Sequence, residues 1–193
     1  IQTSLEREKY GDFEDSLTAV FFAAMLHDLG MSIGRHEHEF HSAYIAFPII
    51  ERLLAKVYPD NIQKHTAVRS LALEGISGHM GTRPVYSLEA GVVQVADGCD
   101  MKKGRARIPI ALNYAPKQGT IHQFSANAIE EARILEGKEK PIRIEILMSG
   151  QVGLFQVEEV LMGKIAASPA NPYIELYTQV ENDTSKAARL RYL

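Results

Sequence analysis

Residues 17–25 read LTAVFFAAM, an apolar run broken only by Thr18, and LHDLG follows at 26–30. Such a run is stable only out of water, since fully burying a large apolar side chain is worth about 1.5–3 kcal/mol. His27 and Asp28 sit where the run stops. A buried carboxylate is costly unless it is paired or bound to a cation, so this pair must be exposed or partnered. Asp15 or Ser16 can cap the start and Gly30 stands just past the end, which predicts a helix over about 16–28. Apolar residues face nearly all round it, the pattern of a central, buried helix.

The helical pattern continues through the first hundred residues. HEFHSAYIAFPIIERLLAKV repeats Ala43, Ala46, Phe47, Ile50, Leu53, Leu54 and Val57 at helical spacing, and it runs on past Pro48, which should kink the helix rather than end it. A third helix is expected from Pro59-Asp60 to near Gly78, and a fourth over SLEAGVVQVADGCDMKK with Ser87 as its cap. After about residue 118 the pattern shifts. IEEARI and IRIEILM alternate with a short period, VGLFQVEEVLMGKIAAS reads as an amphipathic helix, and YIELYTQV returns to a strand pattern. The expected fold is mainly α, a helical bundle over 1–118 with a small C-terminal α+β domain (β-β-α-β) over 119–193. The tail NDTSKAARLRYL is compatible with a fraying or partner-docking helix.

Composition narrows the functional classes. With 193 residues and 46% apolar content, the chain can build a core of ordinary size. A net charge of −3 gives no general argument for nucleic acid or an anionic membrane. The longest apolar stretch falls short of the roughly 18 residues of a membrane span. The single cysteine, Cys99, excludes an internal disulfide and suits a reducing cytoplasm. Ile1 is not an initiator methionine, as expected of a processed or partial chain.

The helical half carries most of the histidines, with acids beside them: His27-Asp28, then His36, His38 and His41 in RHEHEFH, His79 in GHMG, and Asp97 and Asp100 in VADGCD. These positions fall at helix ends, where a bundle can aim side chains into one cavity. Imidazole nitrogen and carboxylate oxygen suit Zn, Mn, Fe, Co or Ni, and a carboxylate can bridge two such ions.

HDLG after an apolar segment, HEFHSA some ten residues on, GH in mid-chain and VADGCD near 97 together resemble the HD superfamily of metal-dependent phosphohydrolases. The resemblance covers about residues 15–105. It implies His27 and Asp28 as the doublet, Asp97 as the final aspartate, and His38 and His79 as the further histidines of a centre holding one or two divalent ions, with Mg also admissible. His27 and Asp28 would then carry the catalytic role. The family's first histidine lies upstream of the doublet, and residues 1–26 contain none. Either that histidine lies before Ile1, or this member has lost one ligand.

Several residues have plainer readings. His36 and His41 flank His38, and at least one of them is expected in solvent, with His41 as a reserve ligand. His65 and His122 read as surface or packing residues, and Cys99 as packing. Asp100 shares a helical face with Asp97 and could orient a ligand or be solvated. The basic run Lys102, Lys103, Arg105 and Arg107 directly follows the last acids, so a phosphate-holding role competes with that of a solvated face. Arg35 and Arg83 are similar candidates.

The resemblance implies hydrolysis of a phosphate ester or anhydride, in a nucleotide or another small phosphoester, by a metal-activated hydroxide. The cyclic-dinucleotide branch is disfavoured because GHMGTRPVY stands where its Gly-Tyr-Pro signature would be. Two other readings compete: a non-catalytic protein that senses a metal or ligand, or dimerises, and an HD-type di-iron oxygenase. The C-terminal sheet has few strands to stand alone, so it is expected to pack on the helical domain or to pair with another copy, and a homo-oligomer is expected.

Overall fold

The computed structural model describes residues 1–101, 121–181 and 189–191. Contacts divide the chain into two units, 1–97 with 167–170 and 98–166 with 171–193. The first comprises α1 (Ser4–Arg7), α2 (Phe13–Leu26), a 3-10 turn (Leu29–Ser32), α3 (His38–Val57), α4 (Ile62–Gly78) and most of α5 (Leu88–Cys99). No strand occurs among its described residues.

The helices start where side chains can satisfy the free backbone N–H groups of a first turn. The cap of α2 is Asp12, not Asp15 or Ser16: Asp12 accepts from the Asp15 N–H at 3.1 Å while Asp15 accepts from the Asp12 N–H at 2.9 Å. This reciprocal box begins the helix earlier than the apolar run suggests. Asn61 caps α4 by accepting from the Lys64 N–H at 3.0 Å, one residue after the expected Pro59-Asp60 start. Ser87 accepts from the Ala90 N–H at 3.1 Å, in the cap role expected of it. Helix α3 runs its full 20 residues through Pro48.

The core of this unit is built from Ala19, Phe22 and Ala23 of α2, Ala46, Ile50 and Leu54 of α3, and Val68, Ala72 and Ile76 of α4. A Cβ added to Gly75 would stand 2.8 Å from the Ala23 Cβ, so glycine is what lets α4 approach α2 so closely. Burial of α2 is one-sided. Phe13, Leu17, Phe21 and Met25, spaced by four, are each at least half exposed, which corrects the expectation of a helix buried all round. Spacing by four places these residues on one stripe of the helix. At its N-terminal end Asp15 receives Lys64 Nζ at 2.6 Å and the Tyr58 hydroxyl at 2.6 Å, tying α2 to α4 and to the end of α3.

The second unit holds α6 (Ile121–Asn127), β1 (Ile129–Glu136), β2 (Ile142–Met148), a helical stretch and β3 (Ile174–Val180), with a short β4 (Arg189–Arg191). The stretch comprises α7 (Gly153–Gln156), a π-helical segment (Val157–Met162) and α8 (Gly163–Ala167), whose last residue belongs to the first unit. It buries Val157, Leu161 and Ile165, the i, i+4, i+8 stripe that its sequence pattern predicts. The sheet order is β1-β2-β3-β4. The pair β1/β2 is antiparallel, β2/β3 parallel with Ile144 opposite Leu176, and β3/β4 antiparallel. This is the expected β-β-α-β with an added edge strand, because residues 189–191 of the tail pair with β3 as a strand and do not form a helix. Glu175 of β3 accepts from the Lys138 and Glu139 N–H groups at 2.8 and 3.1 Å, clamping the β1–β2 loop. These backbone donors hold its carboxyl below the ordinary glutamate range.

Among the described residues, no helix is long and apolar enough to cross a membrane.

Candidate metal centre

Helices α2 and α4 both end in a histidine that closes the helix on itself. His27 follows α2, and its Nδ1–H donates to the Ala24 carbonyl at 2.8 Å. His79 follows α4, and its Nδ1–H donates to the Ile76 carbonyl at 2.7 Å. His38, the first residue of α3, does the same to the Arg35 carbonyl at 3.0 Å. A ring nitrogen facing a carbonyl must carry the proton, so all three rings are assigned the tautomer with a bare Nε2.

Those nitrogens converge. His38 Nε2 lies 3.2 Å and His79 Nε2 3.7 Å from Asp28 Oδ1, while His27 Nε2 lies 3.6 Å from Asp28 Oδ2 and 3.8 Å from Asp97 Oδ1. His38 Nε2 and His79 Nε2 are 3.1 Å apart. With the protons on Nδ1, these two nitrogens turn lone pairs toward each other, an arrangement that a shared cation relieves. Tetrahedral ligation with bonds of about 2.05 Å would place ligand atoms about 3.3 Å apart, close to the separations found. His27, Asp28 and His79 each offer a ligand atom within 4.8 Å of the others. The donor set fits a transition-metal ion.

The surrounding field favours a cation too. A helix C-terminus carries partial negative charge, and proteins commonly place Lys or Arg in the last turn to offset it. Helices α2, α4 and α5 have no basic residue in their last turns. They contribute His27, His79 and Asp97 there instead. Access is graded: the His79 side chain is 1% exposed and that of Asp28 40%, so one side of the cluster opens outward. Burial, the largest influence, pushes the His79 pKa below the ordinary imidazole value, the direction that favours a ligating ring.

The other candidates separate clearly. His36 is almost fully exposed. His41 buries its Nδ1 without a hydrogen-bond partner and stands in no ligand group found among the described residues. His65 is a packing residue whose Nε2 meets Glu51 at 3.1 Å. Cys99 is buried. Asp100 is exposed and directly follows α5, which stops at Cys99. Arg35 is exposed, and its carbonyl serves His38. Arg83 lies with its guanidinium carbon 4.3 Å from the centroid of the Phe40 ring, two residues along α3 from His38. Lys102, Lys103, Arg105 and Arg107 lie outside the described residues, as does the side chain of His122.

Sequence reasoning missed Gln94. Fully buried in α5, it donates from Nε2 to the Gly78 carbonyl at 3.3 Å, beside His79. An amide inside the apolar run VVQVA was the available signal.

The HD domain family model matches residues 4–102. An uncharacterized protein of Methanocaldococcus jannaschii, MJ1020, is 42% identical over 183 residues, which is 95% of this chain and 68% of that protein. No solved structure matches. The chain belongs to the HD-domain family, part of the superfamily of metal-dependent phosphohydrolases.

Proposed function

We propose that this protein hydrolyses a phosphate ester or anhydride, in a nucleotide or another small phosphorylated molecule, at a centre of one or two divalent ions. The observation that carries the reading is the convergence of three Nε2 atoms and two carboxylates on one partly open point. A bound ion would supply Lewis acidity toward a phosphoryl oxygen and lower the pKa of water.

The chain's own residues then divide the work. His38 and His79, the buried pair, would hold an ion from the inner side, with His27 and Asp97 completing the grip. Asp28, the most exposed of the group, is the carboxylate placed to meet both ion and substrate. Arg83 is suited to hold phosphate oxygens, since a guanidinium stacked on an aromatic ring keeps its edge N–H groups available for a forked contact. Lys102, Lys103, Arg105 and Arg35 are further candidates for the same task.

The test is elemental analysis of the purified protein together with turnover of nucleotides, cyclic nucleotides and simple phosphomonoesters under Mn, Co, Ni, Zn, Fe and Mg. Stoichiometric metal and metal-dependent phosphate release are expected. Bound metal without turnover of any phosphoester would leave a metal-binding protein and remove the hydrolase.

A further inference from the structure

Asp28 does not belong to a regular helix. It stands between α2 and the 3-10 turn, and a ligand there is only as well placed as the turn that follows it. Inside the turn, the Asp28 carbonyl accepts from the Met31 N–H at 3.0 Å, and the Gly30 carbonyl accepts from Ile33 at 2.9 Å and from Gly34 at 3.1 Å. These bonds shape the turn without attaching it to the rest of the fold.

The attachment comes from Gly30 and Ser42. The Gly30 N–H donates to the Ser42 hydroxyl at 2.8 Å, with Gly30 buried and Ser42 fully so. A Cβ on Gly30 would fall on the His38 carbonyl oxygen and would lie 2.7 Å from the Ser42 nitrogen and 2.8 Å from the His41 Cβ. The backbone of the turn therefore presses directly on the first turn of α3, the turn that begins with His38. One hydroxyl thus bridges the segment carrying Asp28 to the helix carrying His38, whose ligand atoms are 3.2 Å apart.

We infer that Ser42 is a positioning residue that sets the Asp28–His38 separation and so pre-organises the metal centre. The inference rests on the metal-centre reading above, which does not itself require Ser42. Ligands held in place by packing and outer hydrogen bonds bind more tightly than ligands that must be ordered by the ion, and losing such a support typically costs 10–100-fold in metal affinity. Alanine at 42 removes the hydroxyl without disturbing helix propensity. Threonine keeps it at the cost of one methyl group in a tight place.

The experiment measures Zn²⁺ affinity by competition with a chelator, and the visible spectrum of the Co²⁺-loaded protein, for wild type, Ser42→Ala and Ser42→Thr. In parallel, amide exchange at Gly30 and the His38 imidazole NMR shifts are recorded on metal-free protein. Ser42→Ala should weaken Zn²⁺ binding about tenfold, alter the Co²⁺ spectrum, speed Gly30 exchange and shift the His38 signals. Ser42→Thr should restore part of each. A hydroxyl that only stabilised the fold would lower the melting temperature and leave metal affinity and the Co²⁺ spectrum as in wild type, and that result overturns the inference. If wild type binds no Zn²⁺, the metal-centre reading fails instead. The metal-free signals then decide the positioning role alone, and His38 shifts unchanged in Ser42→Ala would end it.

Discussion

At the N-terminal end of α2, Asp12 and Asp15 cap the helix, and Asp15 is met by Lys64 and Tyr58 at 2.6 Å each. At the C-terminal end of the same helix, His27 and Asp28 join His38, His79 and Asp97, each linked to at least one other by a contact of 3.1–3.8 Å. The first group places acids at the positive end of the helix dipole and sets a lysine beside them. The second places an acid and a histidine at the negative end, where the dipole works against a carboxylate by about 0.3–1 kcal/mol. Two further helices add their own negative ends. One cluster has its counter-charge built in, and its acids serve to hold the fold. The other gathers ligand atoms and negative potential at one point, an arrangement suited to a cation.

The comparison breaks most directly at Asp28. Replacing it with alanine should abolish metal binding, an effect of at least about a hundredfold, while far-UV circular dichroism stays close to wild type. The fold should survive because Asp28 is the most exposed member of its cluster and contributes nothing to the core. A variant that retains metal and any hydrolytic rate would show that the centre lies elsewhere.

Asp15 should behave in the opposite way. Asp15→Asn leaves Lys64 and Tyr58 without their carboxylate and should cost about 2 kcal/mol of stability, with metal binding unchanged. Burial pushes the Asp15 carboxyl upward, but Lys64, the Tyr58 hydroxyl and the Asp12 N–H together outweigh it and hold the pKa below the ordinary value of 3.8. The sign follows: a depressed carboxyl contributes its full stability above about 3.8 and loses it as pH falls through the folded-state value. Melting temperature against pH should therefore drop in wild type below that point and flatten in the variant. Loss of metal on Asp15→Asn, with the fold intact, would merge the two clusters into one functional system.

Much of this contrast was legible before the fold was known. That these histidines and aspartates gather at helix ends could be read because HDLG, HEFHSA, GH and VAD come in an ordered set, each beside an apolar stretch whose helix end is easily placed. The sheet could be read because IRIEILM and YIELYTQV alternate or cluster their β-branched residues so strongly. The support around the ligands was not legible. Ser42 and Gly30 lie twelve positions apart, and only three-dimensional contact makes the hydroxyl of one the acceptor for the other. Nor was the exposed stripe of α2, since apolar residues all round a helix do not say which face its neighbours cover. The Asp12–Asp15 box lies ahead of the apolar run, because the helix starts where its first free N–H groups find acceptors and not where the apolar pattern begins.

The smallest test of the contrast is at Tyr58. Burial, with the Asp15 hydrogen bond second, raises its hydroxyl to about 12. A group raised in the folded state contributes stability that is complete below its unfolded value, near 10, and that fades as pH climbs toward the folded one. Tyr58→Phe should lower stability by about 1 kcal/mol at neutral pH, the ordinary worth of one hydrogen bond, and leave metal affinity untouched. The chain has eight tyrosines and no tryptophan, so tyrosinate absorbance can follow the titration without a tryptophan background. Wild type should show a late-titrating fraction that Tyr58→Phe lacks, and the variant should hold its remaining stability better between pH 10 and about 12. If the late fraction persists in Tyr58→Phe, another tyrosine carries it, and Asp15 is then balanced by Lys64 alone. The N-terminal cluster would become a simple ion pair, open to screening by salt, and the contrast with the metal end would rest on the helix dipoles rather than on a closed hydrogen-bond network.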